Sequence, residues 1–137
     1  MRRDRLLLLL RLASGGVFIA FGVGKFVNHA SELASFRSYG LPAPDVVVIA
    51  IGAIELIGGL LLVAGALTRP AALVLAGDMV GAIVVSGLAK GELISLTLAP
   101  AELVAMLVLL WTGPGALALR PAPRFPVVPR RVAELLR

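Results

Sequence analysis

Four apolar stretches separated by short polar breaks dominate the chain, at about 6–24, 46–67, 71–88 and 93–111. Each is close to the roughly 20 residues that a helix needs to cross ~30 Å of hydrocarbon. The pattern predicts an all-α integral membrane protein, a four-transmembrane-helix bundle. The first stretch follows Arg2, Arg3 and Arg5, is interrupted by Arg11, and runs on through Gly24 beyond a signal-peptide core. It is therefore predicted as a retained span rather than a cleaved leader.

The breaks are equally readable. Between residues 25 and 45, Asn28 or Ser31 is placed to start a short helix on which Leu33, Phe36 and Tyr39 share a side. Glu32, Arg37 and His29 give it polarity, which suits a helix lying in the membrane interface. Pro42 and Pro44 forbid its continuation. Thr68-Arg69-Pro70 predicts a tight turn, with Thr68 capping the next helix and Pro70 at its first position. So short a link makes the second and third spans antiparallel neighbours. Ala89-Lys90-Gly91-Glu92 turns the chain into the fourth span, where Pro100 is expected to produce a kink and Trp111 to mark the interface. Gly113-Pro114-Gly115 ends it. The chain divides into a four-helix membrane domain over 1–119 and a basic, proline-rich tail over 120–137, with Val132–Leu136 as its one short helical stretch.

Composition agrees with this reading: 59% of residues are hydrophobic, 15% are charged, and the mean hydropathy is +1.00. Soluble domains carry about 25% charged residues. The net charge of +5 does not point to nucleic acid, because the bases gather at the termini rather than on one helix face with aromatic readers. With four spans both termini lie on one side. That side holds Arg2, Arg3, Arg5, Arg69, Arg120, Arg124, Arg130, Arg131 and Arg137, and the other holds Lys25, Arg37 and Lys90. Positive charge stays inside, so both termini are expected in the cytoplasm of a multi-pass plasma (inner) membrane protein.

Chemistry is constrained by what is present and what is missing. There is no cysteine, which removes dithiol chemistry, iron–sulfur clusters and thiolate metal sites. The single histidine, His29, has no second histidine for a bis-histidine haem, and the acids lack metal-ligand spacing; no metal and no covalently bound cofactor is expected. Five ionisable residues remain within or at the edge of the spans: Arg11, Lys25, Glu55, Asp78 and Glu102. Such residues are costly in hydrocarbon and turn inward, toward partners or water. Arg11, Gly15, Phe18, Gly22 and Lys25 share one face of the first helix, and Gly52, Glu55 and Gly59 one face of the second. Asp78 aligns with Val74, Gly81 and Val85 on the third.

Helix rise places Arg11 ~8 Å and Asp78 ~11 Å from the cytoplasmic helix ends, and Glu55 and Glu102 ~14 Å from the outer ends. Matching depth predicts a buried Arg11–Asp78 ion pair. A separate interior polar site would be made by Lys25, Glu55 and Glu102. Two bases against three acids leave one glutamate to be carried neutral or in contact with water. Both groups also have a purely architectural reading, in which buried charges only fix packing and register.

Leu-Leu-Arg11-Leu-Ala-Ser-Gly-Gly-Val-Phe18 and Gly22-Val-Gly-Lys25-Phe, with Gly40-Leu-Pro, Glu55-Leu-Ile-Gly-Gly-Leu, Gly65-Ala-Leu-Thr-Arg69, Ala101-Glu102-Leu and Gly113-Pro-Gly115, resemble the DoxX family over about 6–119. The resemblance implies a small four-span bundle. Some members resemble the small membrane component of thiosulfate:quinone oxidoreductase, others go with redox-stress proteins, and distant relatives look like membrane chaperones or cargo receptors. Arg11, Lys25, Glu55 and Glu102 match family positions, and Asp78 aligns with one.

The expectation is thus a non-catalytic or quinone-contacting subunit of a membrane redox system. Its partners would be the lipid bilayer, a redox protein carrying the electrons and, as a candidate, a second copy of the chain. Without cysteine, haem ligands or a nucleotide fingerprint, autonomous oxidoreductase activity is not expected. The alternative is a membrane chaperone-like interaction protein whose buried charges are purely structural. A transporter is disfavoured, since one compact bundle leaves little room for alternating access.

Overall fold

A computed structural model describes residues 2–119. Five helices follow in order: α1 (Arg2–Val27), α2 (His29–Ser38), α3 (Pro44–Ala64), α4 (Thr68–Ala82) and α5 (Leu93–Thr112). A π-helical stretch, Ile83–Leu88, prolongs α4 without a break. Four of these helices, counting α4 with its extension, are long and apolar enough to cross a membrane. Leu9, Ile57, Leu73 and Val104 point outward from them and stay exposed, as a surface made for lipid requires. The expected basic tail and its short helix lie outside the described residues.

Glycine sets the tightest contact. Helices α1 and α3 run antiparallel, and Gly15 lies against Gly59 while Gly22 lies against Gly52. A Cβ on Gly22 would sit 2.6 Å from the backbone nitrogen of Leu56, and one on Gly59 2.7 Å from the carbonyl oxygen of Gly15. Without side chains at these positions the two backbones can approach closely, and dispersion contacts can drive association that the hydrophobic effect cannot drive in lipid. Helix α3 also packs on α4, α4 on α5, and α5 returns to α1, which leaves α1 and α4 on a diagonal. The apolar core, built around Leu62, Leu75, Met106 and Leu109, occupies the half of the bundle nearer the chain ends. Helix α2 crosses the other end.

The α3–α4 turn differs from the expected one. The second span was expected to reach Leu67, yet α3 stops at Ala64 because Gly65 takes a left-handed φ of 71°. The amide of Ala66 then donates to the carbonyl of Leu61, and that of Gly65 to Leu62, a Schellman closure. Thr68 does not cap. It is the first residue of α4, Leu67 holds the cap position with a φ of 48°, and the Thr68 hydroxyl has no hydrogen-bond partner. At the start of α5 the Glu92 carboxylate accepts from the amides of Ile94 and Ser95 and closes the first turn. Pro100 lies within an otherwise continuous α5.

Arg11 corrects the largest sequence expectation. Its guanidinium is wholly buried and does not meet Asp78. One Nη donates to the carbonyls of Pro114 and Ala116 at 2.7 and 3.0 Å, and the other to Leu117 at 2.9 Å. The segment after α5 thereby folds back across the bundle end, where Leu119 donates to the carbonyl of Ala64. Equal depth was a poor guide because α1 and α4 are not neighbours, whereas three carbonyls lie within reach of one planar fork.

Arg11→Leu is expected to cost about 3 kcal/mol, since charge-assisted bonds to buried carbonyls are lost. It should also speed amide exchange at Ala116 and Leu119. Asp78→Asn should leave that loss unchanged, and a double-mutant coupling above about 1 kcal/mol would restore the ion pair.

Candidate functional site

The half of the bundle beneath α2 is not filled. A cavity of about 590 Å³ lies between α1, α3, α4 and α5 and under α2. Phe18, Phe21, Phe36 and Tyr39 supply aromatic wall, and the polar lining includes Lys25, Glu55, Asp78 and Glu102. Its size and its mixture of apolar wall with a few convergent polar groups are those of a small-molecule site.

Each polar group is placed by an identifiable feature of the sequence. Lys25 ends the glycine-lined face of α1, and its stem packs against the space left by Gly52. Helical side chains lean toward the N-terminus of their own helix, so Lys25 reaches back into the bundle. There its Nζ lies 2.9 Å from Glu55 Oε2, and both side chains are buried. The ammonium also lies 5.8 Å from the centre of the Phe21 ring. Asp78 of α4 is a near neighbour of Glu55 in the same cavity lining.

Glu102 comes from α5, with Ser14 of α1 nearby. It is 8% exposed, and its Oε2 has no partner; neither does Asp78 Oδ2. Buried polar atoms of native proteins are nearly always satisfied, so Asp78 and Glu102, which line one cavity and each keep a carboxyl oxygen without a partner, stand out.

Sequence reasoning grouped Lys25, Glu55 and Glu102, and all three line the cavity. Asp78 joins them instead of Arg11. The signal was present: Glu55 and Asp78 stand equally far from the turn at Ala66 and Leu67, as do Gly58 and Leu75, which touch. In an antiparallel hairpin of helices, residues equidistant from the turn come level with one another.

Further elements escaped the sequence. Helix α2 forms as expected and gives Phe36 and Tyr39 to the cavity roof, with ring centres 5.6 Å apart. Burial raises the Tyr39 phenol above its ordinary pKa, and the nearby Glu92 charge adds to this, so the phenol stays a donor. Burial alone would raise Glu92, but its bonds from Ser95 and Ile94 outweigh that and hold it low. His29 begins α2 and faces the Lys25 carbonyl at 3.3 Å. The π-helical stretch brings Ser86 to Ser95, whose hydroxyls share a hydrogen bond, while Ser86 also donates to the Ala82 carbonyl. No apolar periodicity announces such a widened turn; Ser86 and Gly87 inside an apolar run were its only trace. Among the described residues no cluster of three metal-ligating side chains occurs.

Fold and site together define a small multi-pass membrane bundle with a polar-floored interior cavity. Residues 6–88 match the DoxX family, and the chain belongs to that family. It is 42% identical over 77 residues to a Bacillus subtilis (strain 168) protein named "Putative oxidoreductase CatD", a match covering 56% of each chain. This chain therefore spans little more than half the length of that relative. It is 33% identical over 125 residues to "Uncharacterized membrane protein Rv3486" of Mycobacterium tuberculosis (strain ATCC 25618 / H37Rv), covering 77% of this chain and 74% of the relative. No solved structure matches. Glu102 and Gly113-Pro114-Gly115 fall beyond the residues that match the family.

Proposed function

We propose that this chain is a non-catalytic membrane subunit of a redox system and seats a quinone ring in the cavity beneath α2. The observation that carries the reading is the convergence of the Lys25–Glu55–Asp78 group and the unpartnered Glu102 on one aromatic-walled space of about 590 Å³. A quinone offers two carbonyl acceptors on a flat apolar ring. The Lys25 ammonium is a donor to one carbonyl. The hydroquinone hydroxyls would be donors to the carboxyl groups of Asp78 and Glu102, which line the cavity. Electrons come from a partner that carries the cofactor, which accords with a relative named as an oxidoreductase.

The distribution of Arg2, Arg3, Arg5 and Arg69 against Lys25, Arg37 and Lys90 supports a reading with both termini in the cytoplasm of the plasma (inner) membrane and the cavity in its outer half. The chaperone-like reading finds its support in Arg11, whose charge is spent on three carbonyls; nothing comparable absorbs Glu102.

Purified wild-type protein should bind a tail-less benzoquinone in a saturable, one-to-one manner. Asp78→Asn and Glu102→Gln, which leave the Lys25–Glu55 pair intact, should each weaken binding of the hydroquinone about tenfold, the worth of one hydrogen bond. Unchanged affinity in both variants would assign the carboxyls to architecture.

A further inference from the structure

We propose that the cavity opens sideways into the bilayer through the seam between α3 and α4, and that its ligand is an amphiphile whose long apolar tail lies in that seam. This rests on the quinone-ring reading of the polar floor and adds the tail and the route. Nearer the turn the seam is closed: Leu75, wholly buried, fills the space beside Gly58, where an added Cβ would stand 3.0 Å from the leucine side chain.

Toward α2 the helices offer no such plug. Val47, Ile51 and Ile54 of α3 face Val74, Gly77, Gly81 and Val85 of α4 and its extension, and all of them line the cavity. Gly77 and Gly81 lie on the exposed surface, and a Cβ built on either meets nothing within 4 Å. Gly15, Gly22 and Gly59 mark close backbone contact, whereas Gly16 and Gly24 have open surroundings but do not line the cavity. Gly77 and Gly81 combine open surroundings with a place in the cavity lining, and so mark an opening.

Small residues alone would not make a site. The polar end supplies the independent observation: Glu102 is more than nine-tenths buried, lines the same cavity and keeps an unpartnered oxygen, and half-buried Asp78 also lines it with one oxygen unpartnered. A ligand that satisfies them has a hydrogen-bonding head. The passage beside that head is lined by Val47, Ile51, Ile54 and Val74, with the cavity's apolar wall exceeding its polar part. A water-soluble ligand would gain nothing from such a passage, whereas an isoprenoid or alkyl chain would exchange lipid contacts for it at little cost.

The test compares one quinone ring with and without a long isoprenoid tail, on wild-type protein and on Gly77→Leu/Gly81→Leu. Both glycines have free space, so the variant should fold and melt as the wild type does. The tailed compound should bind the variant about tenfold or more weakly while the tail-less ring binds unchanged. Equal loss for both compounds, or loss for neither, overturns the lateral seam and leaves the ring site standing. A wild-type protein that binds neither compound overturns the ring site and this inference with it.

The cysteine-free chain allows a second readout that needs no affinity change. A single Gly81→Cys should be alkylated by a membrane-partitioning maleimide, and the tailed quinone, but not the bare ring, should protect it. Equal protection by both, or by neither, contradicts the tail's placement.

Discussion

Gly22→Leu should leave essentially no folded protein. Its Cβ alone would fall 2.6 Å from the Leu56 amide nitrogen and 2.9 Å from the Gly52 carbonyl oxygen, both of them backbone, so no side-chain rotation relieves the clash. Helices α1 and α3 would have to separate by more than an ångström, and three features depend on their spacing. The matching Gly15–Gly59 contact would open, the Lys25–Glu55 pair would lengthen, and the cavity would lose one wall. Overpacking in a well-packed core costs about 3 kcal/mol or more at its severe end, comparable with much of the stability of a small domain. Size-exclusion profiles and thermal melts in detergent should show aggregation or a steep drop in midpoint. Gly24→Leu, on the same helix but with nothing within 4 Å, is the control and should behave as wild type.

Lys25→Met is the second large effect. It removes the only cation in contact with Glu55 among the described residues and leaves two adjacent carboxyl groups in the bundle interior. Breaking one side of a buried pair costs about 3–5 kcal/mol, chiefly through the charge left behind. Adding Glu55→Gln should recover most of that loss, because glutamine keeps the volume and the contact with Asp78 without the charge. Melts of the single and double variants check this. If Lys25→Met alone is neutral, the pair contributes nothing to the fold. If the double variant is as unstable as the single one, the loss came from packing of the lysine stem rather than from charge.

These two cases show why some of the molecule could be read from its sequence and some could not. The spans and the packing faces were legible because bilayer thickness fixes helix length and helical periodicity fixes which residues share a side; Gly15, Gly22, Gly52 and Gly59 follow from that alone. Lys25, Glu55 and Glu102 were legible as one group for the same reason, but which glutamate pairs with Lys25 was not. Arg11 was misread because depth along a helix says nothing about which helix lies opposite. Its real partners are the backbone carbonyls of Pro114, Ala116 and Leu117, which no residue type advertises. Asp78 was misassigned for the same reason, although symmetry about the Ala66–Leu67 turn pointed to Glu55. The π-helical stretch and the lateral seam depend on local backbone widening and on empty space. Neither is written in residue identity, beyond a serine–glycine pair and two glycines with no evident neighbour.

The central claim is that the floor of the cavity holds a ring that accepts and donates hydrogen bonds. The most direct measurement is an infrared difference titration of the purified wild-type protein with a tail-less benzoquinone and then its hydroquinone. The ligand's carbonyl band should shift on binding, and protein carboxyl bands should shift with it at one-to-one saturation. The carboxyl part of the signal should be diminished in each of Asp78→Asn and Glu102→Gln and lost when the two are combined. A flat difference spectrum at ligand concentrations well above micromolar, with the protein folded, would contradict the account and leave Lys25, Glu55, Asp78 and Glu102 as parts of the architecture alone.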